Sequence, residues 1–387
     1  MQRSQMAMIF MLLTVTFVGF GIVIPIMPEL DVMTPFHLSM MLALYSAVSF
    51  VMSPLWGGLS DRIGRKPVIA AGIFGYFVSF LLIAVTLDHL WLIYLSRILG
   101  GFFSGAVISC AVASAADITT PENRTKGMGL VGMAIGLGFV IGPGVGGLLS
   151  VFGHRLPFAV SAGLSLMLWA VVQAKWRETL PPEKRRKAGA PRPSRLAALQ
   201  GRMKHLYALV FVASFVLAGL EATLQYFQME KIGINAFQMG AMLFASGLVG
   251  ALIQGGVVRR VVKPGTESRY VLAGLLLQAA GFLLLLLSSS LWNALMFLLV
   301  FSSGNALVRP CVTSLISQKT PVEQGTASGL SSSMDSLGRI TGPLLATSLF
   351  YKDIHLPYLA GAFIALAAVF FVFRFRTLDR RAAPEAA

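Results

Sequence analysis

The sequence predicts an all-α membrane protein, with twelve transmembrane helices in two pseudo-symmetric six-helix bundles. Three observations predict it. Of 387 residues, 56% are hydrophobic and 12% charged, with mean hydropathy +0.76; charged groups that sparse cannot cover a water-soluble fold of this length. Twelve apolar runs follow one another, each near the roughly 20 residues that span a hydrocarbon core. Lys and Arg then fall overwhelmingly on one side of those runs. The composition excludes a soluble enzyme or nucleic-acid binder, despite a net charge of +15 and a pI near 10.3.

The runs cover 6–27, 38–57, 67–86, 91–115, 127–151 and 157–175, then 205–226, 237–257, 270–288, 291–314, 325–350 and 355–375. Helices are expected because lipid cannot satisfy exposed backbone groups, and the runs are too uniformly apolar for barrel strands. The first exceeds the apolar core of a signal peptide, and no small-x-small cleavage site follows it. The expected organisation is a first bundle over 1–175, a basic cytoplasmic linker over 176–204, a second bundle over 205–376 and a tail over 377–387. The linker, WRETLPPEKRRKAGAPRPSRLAALQGRMK, mixes Pro, Gly and basic residues, with room for an interfacial helix near 194–204. With both termini in the cytoplasm, 25 Lys and Arg lie on the cytoplasmic side, against Arg155, Lys231 and Lys352 on the other. That bias sets the topology and places the basic charge against anionic headgroups, so no nucleic-acid partner is expected.

The two halves repeat. A shift of 200 residues lays Thr120-Pro121 on Thr320-Pro321, Gly129 on Gly329, Gly138 on Gly338, Gly142-Pro143 on Gly342-Pro343 and Leu156-Pro157 on Leu356-Pro357. A shift of 198 lays Gly57-Gly58 on Gly255-Gly256 and Arg62 on Arg260. Cys110 and Cys311 sit inside apolar runs with no CxxC or His nearby, and the five His have no ligand spacing. Neither a disulfide nor a metal site is expected.

Between the second and third runs stands Gly57-Gly58-Leu59-Ser60-Asp61-Arg62-Ile63-Gly64-Arg65-Lys66-Pro67. It resembles the loop signature of the major facilitator superfamily, which implies a cytoplasmic gating element built on Gly57, Asp61, Arg62, Gly64, Arg65 and Lys66. Asp117, ending the fourth run, is expected to join the cluster through Arg65. The second-half copy has Arg259 where Asp61 stands. Gly138, Gly142, Pro143, Gly146 and Gly147 resemble the antiporter signature of drug-efflux members; small residues at that spacing also serve close helix packing. The first run's Gly19-Phe20-Gly21-Ile22-Val23-Ile24-Pro25 is similar to that of twelve-span drug:proton antiporters. Arg97-Ile98-Leu99-Gly100-Gly101 resembles the family's Arg-containing motif, with Gly100 in place of the usual Gln. The resemblance covers the whole chain and points to multidrug efflux pumps of Gram-positive bacteria.

A charge at the bilayer centre costs roughly 2.5–3.5 kcal/mol, so intramembrane ionisable residues are functional candidates. There are five: Arg97, Glu221, Arg309, Asp335 and Arg339. Glu221 has no opposite charge within a turn, and a carboxyl in so apolar a setting suits proton carriage. Asp335 either joins it in proton coupling or is neutralised by Arg339 at i,i+4. Arg97 either links to a carboxylate or meets an anionic substrate. Arg309-Pro310 matches a pair in multidrug relatives that place an acid three residues earlier; here that position is Ala306. Phe17, Phe20, Phe139, Asn305 and Gln225 complete the candidate cavity residues.

The expected function is proton-coupled export of small amphipathic molecules, drugs included, by alternating access along a path between the halves. The protein is expected to be a monomer of the bacterial cell membrane, with bilayer lipid, protons and a small-molecule substrate as partners. No cofactor beyond the proton gradient is expected. The alternative is a dedicated exporter of one metabolite (a metallophore, sugar or lipid-like compound), anionic if the three buried Arg meet it. Enzymatic chemistry is not expected, because no nucleophile or metal constellation occurs at membrane depth.

Overall fold

Twelve helices account for the apolar runs in the computed structural model, which describes residues 2–120, 123–181, 183, 185, 201–263, 265–320 and 324–382. They are α1 (Gln2–Ile26), α2 (Pro35–Ile63), α3 (Arg65–Val85), α4 (Leu90–Asp117), α5 (Arg124–Ser150) and α6 (Leu156–Lys175), then α7 (Met203–Ile232), α8 (Ala236–Leu252), α9 (Glu267–Leu285), α10 (Leu291–Lys319), α11 (Gln324–Phe350) and α12 (Leu356–Ala382). No strand occurs among the described residues. Pro121 and Pro321 of the repeat, most of the linker with residues 194–200 of the helix expected near 194–204, and the tail beyond 382 lie outside the described residues, while Met203 and Lys204 open α7.

Local chemistry sets the helix ends. Thr34 opens α2 by accepting the His37 amide, with Pro35 in the first turn, where a missing N–H costs nothing. Ser290 and Asn293 open α10 with a reciprocal capping box. Gly233 closes α7 at φ 66°, left-handed backbone that glycine adopts without strain. α2, α4, α7 and α10 hold 28 to 30 residues. At 1.5 Å per residue they run about 42–45 Å, well beyond a hydrocarbon core of about 30 Å. Trp91 and Trp292 stand exposed in the first turns of α4 and α10, suited to a headgroup boundary.

Eleven of the twelve helices are long and apolar enough to cross a membrane. The exception is α11, whose Ser328, Ser331, Ser332, Ser333, Asp335, Ser336 and Arg339 dilute its hydropathy. α8 departs from α2 in a different way. After Leu252 its backbone widens into a π-helical stretch over Ile253–Val258, through Gly255-Gly256, before a last α turn at Arg259–Val261. α2 runs straight through Gly57-Gly58.

Two compact units divide the chain: Met1–Pro191 with Asn235–Gly247, and Arg192–Ile234 with Leu248–Ala387. In the first, α1 packs on α5, α2 on α4, and α3 on α4 and α6. In the second, α7 packs on α11, and α9 on α10 and α12, which repeats the same order. Even the bounds of α5 and α11 keep the 200-residue shift. The first core gathers Ile9, Leu12 and Leu13 of α1, Ile69 and Ile73 of α3, Val107 and Cys110 of α4, and Leu168 and Val172 of α6. The second sets Phe282 edge-on against Phe301 and tilts Phe227 against Tyr358, ring centroids 4.9 and 4.3 Å apart. Both cysteines are buried free thiols.

Glycine permits the α1–α5 and α7–α11 contacts. A Cβ on Gly142 would stand 2.6 Å from the Val18 carbonyl oxygen, and one on Gly338 would stand 2.6 Å from that of Phe211. Real side chains cannot approach backbone so closely, so each contact requires hydrogen at that place. Gly142→Val is expected to force α1 from α5 and destabilise the protein by about 1–3 kcal/mol, the usual cost of overpacking. Thermal unfolding in detergent measures this, with Gly132→Ala as the control because space at Gly132 is open.

Candidate functional site

Four charged side chains meet inside the second unit. α7 contributes Ser214 and Glu221, seven residues apart and so on one face; α10 contributes Arg309; α11 contributes Asp335 and, one turn on, Arg339. Asp335 is the hub. Its Oδ1 accepts from Ser214 Oγ at 2.5 Å and from Arg309 Nη2, and its Oδ2 accepts from Arg339 Nε at 3.3 Å. The Arg339 Nη1 atom also faces Glu221 Oε2 at 3.7 Å, beyond hydrogen-bond length, so charge alone joins them. Asp335 and Arg339 are therefore no private i,i+4 pair, and Glu221 has an opposite charge after all, on another helix.

Burial grades the cluster. Glu221 and Arg339 side chains are 12% and 13% exposed, Asp335 and Arg309 28% and 36%. Two carboxylates face two guanidinia, so the group is neutral as a whole, the arrangement that makes buried charge tolerable. Gln225 is buried one turn beyond Glu221. Asn305 accepts from Gln278 Nε2 at 3.3 Å, one turn before Arg309, which ties it to the α9–α10 contact.

Arg97 lies in the first unit, and its surroundings are aromatic. It is 2% exposed on α4, with its guanidinium carbon 5.9 Å from the Tyr45 ring centroid and 5.4 Å from that of Phe80. No carboxylate among the described residues lies within ion-pair reach of it. Gly101 lets α4 press against the Tyr45 backbone, which holds that ring beside Arg97. Phe17, Phe139, Phe20 and Tyr45 form a continuous row, with successive centroids 5.0, 5.5 and 5.2 Å apart.

At the α2–α3 junction Arg65 is the centre. Its Nη1 donates to Asp61 Oδ1 and Ser60 Oγ, both at 2.6 Å, and its Nε to Asp117 Oδ2 at 3.1 Å. Two residues that the sequence reading does not single out complete the junction. Glu178, just after α6, accepts the Arg65 and Lys66 amides at 2.8 and 3.1 Å and so caps α3. Thr179 donates to Asp117 Oδ2 at 3.3 Å. Gly64, at φ 107°, has the Glu178 carboxylate where a Cβ would go. The signal was available: α3 opens with basic residues and no capping side chain, and Glu178 is an acid at the mouth of a basic linker. Lys66 Nζ donates to the Gln173 carbonyl at 2.9 Å, Arg62 is exposed, and Gly57 faces Ser109 loosely.

The glycine motif of α5 works on two sides. Gly138, Gly142 and Gly146 face α1, where Gly21 in turn meets Pro143. Gly147 faces the Ala236 carbonyl and Gly240 at the start of α8, within the same unit. Glu29, in the 3-10 turn that follows α1, accepts the Ala236 amide and pairs with His154 at 2.9 Å.

Residues 9–271 and again 265–387 match the model of the Major Facilitator Superfamily. The chain belongs to that superfamily. Multidrug resistance protein 2 of Bacillus subtilis is 31% identical over 92% of this chain and 91% of its own length. The quinolone resistance protein NorA of Staphylococcus aureus is 27% identical over 96% of both. Among solved structures, the human organic anion transporter MFSD10 (TETRAN) superposes with a TM-score of 0.74 at 26% identity, over 96% of this chain and 99% of that one. A bacterial homologue of the human lysosomal transporter Spinster, inward-facing and unoccupied, shares the fold, with a TM-score of 0.75 at 13% identity over 98% of both chains.

This major facilitator protein is a multi-pass membrane transporter and not an enzyme, and the resemblance to Gram-positive drug-efflux pumps is borne out by its relatives. Within that family frame the Glu178 cap makes a separable claim. Glu178→Ala is expected to cost about 0.5–2 kcal/mol, the range for a lost helix cap. Thermal unfolding alongside Glu183→Ala, a change at an exposed acid in the same linker, checks it.

Proposed function

We propose that this chain is a proton-coupled exporter of small amphipathic molecules, drugs included, working by alternating access in a bacterial cell membrane as a monomer. One observation carries the reading: at membrane depth a single guanidinium, Arg339, is shared between Asp335 at 3.3 Å and Glu221 at 3.7 Å. Asp335 accepts from three donors, whereas Glu221 meets the cluster through charge alone, with Arg339 at 3.7 Å, so Glu221 is the acid that can take and lose a proton without dismantling the cluster. Protonation leaves two guanidinia facing one carboxylate, and the neutral group becomes cationic. That added charge must be answered by solvent or ligand, which favours one conformation over the other. With both termini cytoplasmic, as the Lys and Arg asymmetry supports, Glu221 loads from outside and releases inside while substrate moves outward.

The relatives named multidrug and quinolone resistance proteins support the breadth of substrate. A dedicated exporter of one anionic metabolite is the second reading, favoured by the uncompensated Arg97 and by the likeness to an organic anion transporter.

Proteoliposomes loaded with ethidium or Hoechst dye and given a pH gradient test the proposal. Wild type is expected to move dye with the gradient. Glu221→Gln is expected to lose at least tenfold of gradient-driven transport while keeping dye binding. Asp335→Asn should lose transport and stability together, because it leaves Arg309 and Arg339 facing a neutral amide. Dye transport by Glu221→Gln at the wild-type rate and gradient dependence overturns the role of Glu221. No dye movement by folded wild type overturns the multidrug reading.

A further inference from the structure

At its first turn α8 is fastened to the end of α1 by a bond that its own folding does not require. Asn235 and Gln238 already cap the helix reciprocally. Asn235 Oδ1 accepts the Gln238 amide at 2.9 Å, and Gln238 Oε1 accepts the Asn235 amide at 3.1 Å. That box leaves the Ala236 amide, one of the orphan donors of a helix start, open to an acceptor from elsewhere. Glu29 supplies it. From the turn after α1, its Oε1 accepts the Ala236 N–H while its Oε2 pairs with His154 Nε2 at 2.9 Å. The Glu29 side chain is 17% exposed and Ala236 is buried, so water competes poorly for the bond. A carboxylate at a helix N-terminus also meets the positive end of the helix dipole. The repeat carries no second copy of this link, because α2 opens with Pro35, which has no N–H to give.

Along the rest of its first half, α8 meets α5 through glycine. A Cβ on Gly147 would stand 2.9 Å from the Gly240 Cα, one on Gly144 2.9 Å from the Phe244 ring, and one on Gly247 2.6 Å from the Val140 side chain. A glycine surface packs closely without interlocking side chains, so it parts cleanly, and a polar bond at its end decides how firmly it holds. The first unit takes in α8 as far as Gly247, and from Leu248 the helix belongs to the second.

From this we propose that Glu29 is a latch of the transport cycle: it holds the start of α8 on the first unit, and outward opening of the carrier requires its release from Ala236. The proposal rests on the alternating-access reading and assigns a positioning residue to it. With both termini cytoplasmic, α1 ends and α8 begins on the outer side, as does the α5–α6 turn that carries His154. Arg155, next in the chain, is engaged with Asp88 at 2.6 Å, which leaves the Glu29 carboxylate to His154 and Ala236.

Spin-label distance measurements on the full-length protein in lipid nanodiscs test the latch. Labels are attached through Trp91→Cys and Trp292→Cys, at exposed positions in the first turns of α4 and α10, with Cys110→Ala and Cys311→Ala to keep labelling specific. This labelled parent is expected to show a short and a long distance. Glu29→Ala should enlarge the long-distance population at least threefold. Glu29→Gln, which keeps an acceptor oxygen without its charge, should fall between. Asp88→Ala, which breaks an exposed ion pair on the same side, should leave the populations unchanged. A parent with both distances, whose populations Glu29→Ala leaves unchanged, overturns the latch and leaves alternating access standing. A lower unfolding temperature for Glu29→Ala with parent-like populations marks a helix cap only and overturns it equally. One distance in the parent and in every variant overturns the latch and alternating access together. If Glu29→Ala does not fold, Glu29→Gln and His154→Ala decide, and parent-like populations in both reject the latch.

Discussion

A charge inside a bilayer has no water to answer it, so its counterpart must come from the protein or from what the protein carries. That constraint organises the interior. In the second unit the answer is complete: Asp335 collects Ser214, Arg309 and Arg339, and Arg339 reaches on to Glu221. In the first unit only aromatic faces answer Arg97, and they stabilise a cation without occupying its donors. The two units meet the same problem with different completeness.

Meeting charge with charge across helices demands that the helices come close, and glycine supplies the approach. Gly338 and Gly342 press α11 onto α7 as Gly138 and Gly142 press α5 onto α1. One packing solution is used twice, at a constant shift of 200 residues, and differs in what it carries. On α11 the turn holding Gly338 also holds Asp335 and Arg339; on α5 the matching turn offers Ile135 and Phe139. A shared backbone contact thus supports an ionic cluster in one unit and an aromatic row in the other. The α2 and α8 copies have diverged further. α2 holds its glycine pair in unbroken helix and ends in the Arg65 cluster, while α8 widens through its pair into a π stretch.

Fold and helix count were legible because apolar runs and the Lys and Arg asymmetry are properties of single segments. α11 shows the limit of hydropathy: it was counted among the apolar runs, yet its serines and charges keep it below the apolarity of the other eleven spans. The partners within the cluster were only partly legible. The i,i+4 spacing joins Asp335 to Arg339, but nothing local says that Arg309 and Ser214 converge on the same carboxylate, or that Glu221 faces Arg339. Such pairings depend on helix rotation and on the glycine contacts that set interhelix distance. Glu178 was missed for a related reason. A cap across more than a hundred residues of sequence is invisible to spacing, although the uncapped basic start of α3 asked for an acid.

The unequal grip on the two acids gives the cluster its direction. Asp335 is held by three donors from α7, α10 and α11, so protonating it would leave Arg309 and Arg339 without their carboxylate and weaken the polar links among these helices. Glu221 meets the network through charge and not through a hydrogen bond, 3.7 Å from a guanidinium that Asp335 already holds. A proton there alters the charge that Arg339 feels while Asp335 keeps the helices together. A carrier needs such a division between a group that changes state and a group that preserves the scaffold while it does.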